Sequence, residues 1–355
     1  MQAIERFHKI DKDFRNPFAR DRDRIIHSAS FRKLEYKTQV FLNQEGDFFR
    51  TRLTHSLEVS QIARSITSHL GLREPLAEAI ALAHDLGHTP FGHIGGDTLD
   101  KCLKKDGFKN GFEHNFQSFR VVSSLEKRYK KFDGLNLTFA TLEGILKHSY
   151  PYKKSFLPSW IDEKFHLDKH PSVEAMIVDR ADEIAYMSHD IDDGINSGLI
   201  SFEDLKKSEL AREILQKVYD EDISLDEDEM FRYRFSSHFI NHLVYSLLDY
   251  SKQKVDAGDI FPIGFEAILE TKIKKLKKIL FNKLYQHKEI VIRMFAGKQA
   301  IRGLYSALMQ EGKMMPRFYY EQLGKRKEHR VVADYIASMS DRHAISFYNE
   351  IYGKL

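Results

Sequence analysis

Three histidines and an aspartate fall within one short stretch, His84-Asp85-Leu86-Gly87-His88-Thr89-Pro90-Phe91-Gly92-His93, interrupted by two glycines and a proline. Few structural needs put so many imidazoles together. His84-Asp85 closes the alanine-rich run 77–83. Neighbouring helical side chains diverge by roughly 100°, yet at a helix end both can still bend toward one point. An imidazole and a carboxylate meeting there suit Zn, Fe, Mn or Mg, according to how many waters complete the shell. His55 offers a second imidazole. Alone, a histidine in a first helical turn is ordinarily a capping or packing residue. Here His84 comes after one helix, a turn through Arg73-Glu74-Pro75 and an antiparallel return. Arg52 stands just before His55, where a guanidinium can face an anionic ligand beside the cation.

Stretch 171–195 holds Asp179, Asp182, Asp190, Asp192 and Asp193, and spacing does not choose among them. One of these would complete a shell of two imidazoles and two carboxylates, leaving positions for water and substrate oxygens. Such a shell is a Lewis acid toward phosphoryl oxygens and lowers the pKa of a coordinated water. His88, His93 and His114 are the candidates for general acid or base near neutral pH. Asp182, Tyr186 and Asp190 recur every fourth residue and line one helix face. A solvated acidic face is the usual reason for such a run, but Ile177, Val178, Ala181, Ile184, Ala185 and Met187 leave little room for it. His189-Asp190 repeats the His-Asp pair, so the dipeptide alone is unspecific.

The elements that must position these groups read as helices. Thr54 reads as the N-cap of a helix whose apolar stripe is Leu57, Ile62, Ile66 and Leu70, ended by Gly71. Further helices are expected over 94–106, from Glu113, and over 137–148, 171–195, 271–280 and 331–344. Residues 40–49 read as a short hairpin or an ordered loop, and 150–160 as an aromatic, proline-bearing loop. The Arg/Asp alternation at 20–24 is either an exposed, ion-paired helix start or a phosphate or subunit contact. The basic face over Lys272–Lys278 is more simply solvated than a nucleic-acid contact.

A chain of 355 residues, 42% of them hydrophobic, can bury a substantial core. Its 55 basic and 52 acidic residues leave a formal charge of +3, too small for the global field of a nucleic-acid-coating or membrane-surface protein. Cys102 stands alone, which excludes an intramolecular disulfide and a cysteine zinc site and fits a reducing compartment. No run approaches the ~18 apolar residues of a membrane span, and the N-terminus lacks an apolar signal core. The expectation is a cytoplasmic all-α protein with at most one short β hairpin, residues 1–200 forming a catalytic core and 201–355 a helical region packed on it.

Arg20-Asp21-Arg22-Asp23-Arg24-Ile25-Ile26-His27-Ser28, Phe31-Arg32-Lys33-Leu34, Lys37-Thr38-Gln39-Val40-Phe41 and Arg52-Leu53-Thr54-His55-Ser56-Leu57-Glu58-Val59 belong to one longer pattern. It continues through the central stretch, Phe112-Glu113-His114-Asn115, Ala181-Asp182-Glu183-Ile184-Ala185-Tyr186 and Asp334-Tyr335-Ile336-Ala337. This pattern resembles the deoxyguanosinetriphosphate triphosphohydrolase family of the HD-domain phosphohydrolase superfamily, from about residue 14 to about 345.

The resemblance implies an HD-domain helical fold with a helical C-terminal extension. It also implies hydrolysis of a deoxynucleoside triphosphate to deoxynucleoside and inorganic triphosphate. On that likeness Asp182 is the fourth metal ligand beside His55, His84 and Asp85, and Arg52 contacts the triphosphate. His93 and His114 lie near the α-phosphate and the 5′ oxygen, and Gln39, Tyr186 and Asp190 border the deoxyribose. Many family members carry an acidic residue three positions past the histidine that His93 matches, where this chain has Gly96 followed by Asp97. Either Asp97 supports His93 after a small backbone shift, or His114 carries more of the proton transfer. The likeness also implies a homo-oligomer, commonly a hexamer. A shell of two imidazoles and two carboxylates favours Mn or Mg, with Fe, Ni or Zn as alternatives. Two other readings compete with this one. The same metal site could serve another nucleotide phosphate ester, or a catalytically weak protein could bind nucleotides or single-stranded nucleic acid.

Overall fold

The computed structural model describes residues 3–11, 14–39, 50–149, 159–221, 229–260 and 262–353; the readings of 40–49 and of most of 150–160 lie outside them. Among the described residues there are seventeen α-helices and, in place of strands, two isolated bridges, Thr38 with Thr51 and Leu323 with Arg326. The all-α expectation holds. No helix among the described residues is long and apolar enough to cross a membrane. Contacts divide the chain into two compact units that interleave in sequence. Met1–Ser56, Leu82–Pro171 and Ile292–Leu355 form the first, and Leu57–Ala81 and Ser172–Val291 the second.

In the first unit Leu99 and Leu103 of the Gly92–Lys105 helix pack with Ile301, Leu304 and Leu308 and with Val331, Val332 and Ile336 of the Glu328–Ala337 helix. Each is fully buried, which is worth about 1.5–3 kcal/mol per side chain. The Arg/Asp alternation lies on the Pro17–Ile26 helix, where Asp23 pairs with Arg15 and Arg22 as an ion-paired helix start would, while Asp21 and Arg24 turn inward. Asp21 is fully buried and accepts from Arg6, from Thr138 N–H at 2.9 Å and from the Thr138 and Thr141 hydroxyls at 2.7 and 2.8 Å. Arg24, also buried, donates to the carbonyls of Leu135 and Asn136, so these two charges join distant parts of the chain.

In the second unit the Glu229–Asp256 helix packs against the Val173–Asn196 and Glu209–Tyr219 helices, and the Ala267–Leu280 helix packs against the same two. Phe231, Phe235 and Phe239, one turn apart, form its aromatic seam, with Phe202 at 4.9 Å from the Phe231 ring. On the basic face Lys272 pairs with Glu213 and Glu209, and Lys277 with Glu183. His189, the histidine of the second His-Asp pair, is buried on Glu58.

Three helix details differ from expectation. The helix after the first bridge is Arg52–His69, so Thr54 lies in its first turn and Thr51 caps it: Thr51 Oγ1 accepts from Thr54 N–H at 3.3 Å while Thr54 Oγ1 accepts from Thr51 N–H at 3.0 Å. Leu57 is 48% exposed, because the buried stripe is Val59, Ile62, Ala63 and Ile66, a true i, i+3, i+4, i+7 set. Residues 331–344 are not one helix. Glu328–Ala337 ends, Ser340 accepts from His343 N–H at 3.2 Å, and a new helix runs Asp341–Tyr352.

Candidate metal centre and active site

The Glu74–Ala83 helix delivers His84 and Asp85 just past its last turn, both buried. Gly87 sets the course of the turn after them. A Cβ there would lie 2.1 Å from Ser118 N, so only glycine lets the turn meet the His114–Arg120 helix. Ser118 clamps the contact, its hydroxyl donating to the His84 carbonyl at 2.6 Å and accepting from Gly87 N–H at 2.8 Å. Gly95 does the same for the helix carrying His93, since a Cβ would lie 1.9 Å from the Pro90 carbonyl oxygen. Between them Phe91 holds φ at 62°, an unusual value for an aromatic residue, and donates its N–H to Asp341 at 3.0 Å. Asp341 also accepts from Thr38 N–H at 2.8 Å and from the Thr38 hydroxyl. Lys37 Nζ donates to the carbonyls of His88 and Ala337 at 2.5 and 2.9 Å. Burial, with the Lys33 and Arg52 cations adding, pushes its ammonium down to about 7.

Within this frame His55, His84 and Asp85 converge. His84 Nε2 is 3.3 Å and His55 Nε2 4.0 Å from the Asp85 carboxylate, and the two rings stand 5.7 Å apart. Arg52, only 2% exposed, donates to Asp85 Oδ2, and His88 Nε2 lies 3.0 Å from Oδ1. Burial would raise the Asp85 carboxyl, but His84 and Arg52 outweigh it and hold the group well below the usual carboxylate range. Burial, with Arg52 adding, keeps the His88 imidazole well below its ordinary value against the pull of Asp85. Two buried imidazoles and an ionised carboxylate with atoms this close suit a divalent cation. Arg52 Nε is buried and makes no hydrogen bond among the described residues, which leaves a donor for an anion.

His88, His93 and His114 form a second group, each offering a ring nitrogen within 4.8 Å of the others. Glu113 Oε1 lies 3.0 Å from His114 Nδ1. Asp97 is exposed one turn past His93, and no hydrogen bond or ion pair joins the two among the described residues. Gln39 is half-buried; its carbonyl would lie 3.8 Å from a Cβ on Gly92, a position also 3.2 Å from Arg52 Nη2.

Asp182, Tyr186 and Asp190 belong to the second unit, on the Val173–Asn196 helix. Asp190 is fully buried and accepts from the Tyr285 hydroxyl at 2.8 Å; burial, with Asp190 adding, raises both the Tyr186 and Tyr285 hydroxyls. Sequence reasoning missed Tyr285, Glu113, Lys37 and His148, whose buried ring lies 4.9 Å from that of His84. Glu113 had a signal in its adjacency to His114. The others are brought in by tertiary packing that local spacing does not encode.

An all-helical chain with a buried His and His-Asp cluster and an arginine beside the carboxylate defines a phosphohydrolase of the HD-domain class. A family model described as HD domain matches residues 52–187, and one described as phosphohydrolase-associated domain matches 263–350. The chain belongs to the deoxyguanosinetriphosphate triphosphohydrolase-like family of HD-domain phosphohydrolases. A deoxyguanosinetriphosphate triphosphohydrolase-like protein of Wolinella succinogenes is 60% identical, over 99% of this chain and 100% of that one. Proteins of the same description from Geobacter sulfurreducens and Nitrosomonas europaea are 42% and 43% identical, over 96% and 98% of this chain and 90% and 94% of their own.

Proposed function

We propose that this phosphohydrolase cleaves deoxynucleoside triphosphates to deoxynucleoside and inorganic triphosphate, in the cytoplasm and as a homo-oligomer. The observation that carries the reading is the buried Arg52 guanidinium on Asp85, which sets a phosphate-binding fork beside the metal-type donors and next to a histidine cluster. His55, His84 and Asp85 would hold the cation, Mn or Mg, and family likeness assigns Asp182 as the fourth ligand. Bound there, the cation supplies Lewis acidity toward phosphoryl oxygens.

The chain's own groups do the rest. Arg52 neutralises phosphate charge that builds up at the α-phosphorus. His114, backed by Glu113, and His93 supply the proton that the departing 5′ oxygen needs. Gln39, Tyr186 and Asp190 are assigned to the deoxyribose by likeness, and the Tyr285–Asp190 hydrogen bond supports a fixed Asp190 carboxylate as the acceptor for a sugar hydroxyl.

The test incubates the four deoxynucleoside triphosphates, singly and mixed, with protein and Mn or Mg, and separates products by ion exchange. Deoxynucleoside with intact triphosphate, lost in Asp85→Ala, is expected. Diphosphate or orthophosphate as the phosphate product, or no turnover by folded, metal-loaded protein, would overturn the reading.

A further inference from the structure

We infer that His88, His93 and His114 form a second metal site, with a donor set unlike that of His55, His84 and Asp85, that takes a borderline d-block cation such as Zn(II). The three rings face one another: His88 stacks on His114 at 4.2 Å between centroids, and His93 stands edge-on at 5.1 and 5.8 Å from them. One nitrogen from each lies within 4.8 Å of the other two. Zn–N bonds of about 2.0–2.1 Å in a tetrahedral shell place ligand nitrogens about 3.3 Å apart, so side-chain rotations within the trio, whose His93 is exposed, must draw the nitrogens in from the 4.8 Å limit.

Two of the rings already carry the outer contacts common in metal-ligating histidines. Asp85 Oδ1 stands 3.0 Å from His88 Nε2, and Glu113 Oε1 stands 3.0 Å from His114 Nδ1; a carboxylate on one ring nitrogen fixes the tautomer and makes the other nitrogen more basic. Three neutral nitrogens with no carboxylate ligand disfavour Mg and Mn and favour Zn, with a fourth position open to water. Binding at these imidazoles is independent of the proposed function. Its consequence rests on that function: a cation held here takes away the groups that move the proton, so Zn(II) inhibits hydrolysis supported by Mn or Mg.

The test titrates Zn(II) into protein already loaded at the first site and freed of excess metal, against a competing chromophoric chelator. One further equivalent is expected, with affinity lowered at least tenfold in His93→Gln and in His114→Gln. His93 is exposed, so its substitution leaves the fold intact. No further equivalent, or one bound equally well by wild type and both variants, overturns the site. Binding is read directly, so a protein inactive toward every deoxynucleotide would sink the proposed function and leave this measurement readable.

Discussion

Burying Arg52 against Asp85 removes two ions from water in exchange for one charge-assisted contact. Truncating one partner strands the other. Arg52→Gln is expected to lower unfolding stability by about 3–5 kcal/mol and triphosphate release by at least about 10²-fold, read by denaturant unfolding and product assay. Arg52→Lys keeps the charge without the planar fork and should fall between. Lys37 makes a prediction in pH. Its ammonium titrates at 10.5 in an unfolded chain and at about 7 when folded, so between those values the unfolded state holds the extra proton. Its contribution to stability therefore rises with pH from about 7 to 10.5, and below 7 the burial penalty is present in full. The difference in unfolding free energy between wild type and Lys37→Met should climb over that window; a flat difference would contradict it. At this scale His55, His84 and Asp85 became candidates because three imidazoles and a carboxylate crowd residues 84–93 and the spacing from 55 to 84 fits two antiparallel helices. Lys37 and Tyr285 were not, since a buried lysine or tyrosine looks like any other until its partners are known.

Turns, more than helix propensity, set the candidate site's geometry. Gly87→Ala puts a methyl group 2.1 Å from the Ser118 nitrogen, so it should destabilise by about 1–3 kcal/mol or more and shift His84 and Asp85 relative to His114, costing activity on the order of 10²-fold. Gly96 is different: a Cβ there meets only the Phe112 ring at 3.7 and 3.8 Å and Thr89 Oγ1 at 3.8 Å, which are ordinary contacts. Gly96→Glu should therefore fold and gain up to about 1 kcal/mol of helix propensity, checked by thermal unfolding. Helix existence was readable from the sequence wherever apolar residues recur at 3.6 spacing. Boundaries were read less well: the Thr51–Thr54 exchange starts a helix three residues early, and Ser340 divides what pattern alone presents as one helix. Leu57 misled because one exposed leucine at a helix start mimics a stripe.

For the molecule as a whole, composition was enough to indicate the all-α class, but not the packing partners, because Leu99 meets Ile301 and Val331 from distant parts of the chain. A cation bound only by the folded chain must stabilise it. At free Mn(II) one hundred times its dissociation constant, the gain is about 2.7 kcal/mol, seen as a melting temperature that rises with metal, falls with chelator and stays fixed in His55→Gln. Where the phosphate chain is cut is tested most directly by running the hydrolysis in heavy-oxygen water and weighing both products. Attack at the α-phosphorus puts one heavy oxygen into inorganic triphosphate and none into the deoxynucleoside. Label in orthophosphate or diphosphate, with a nucleotide left behind, would contradict it.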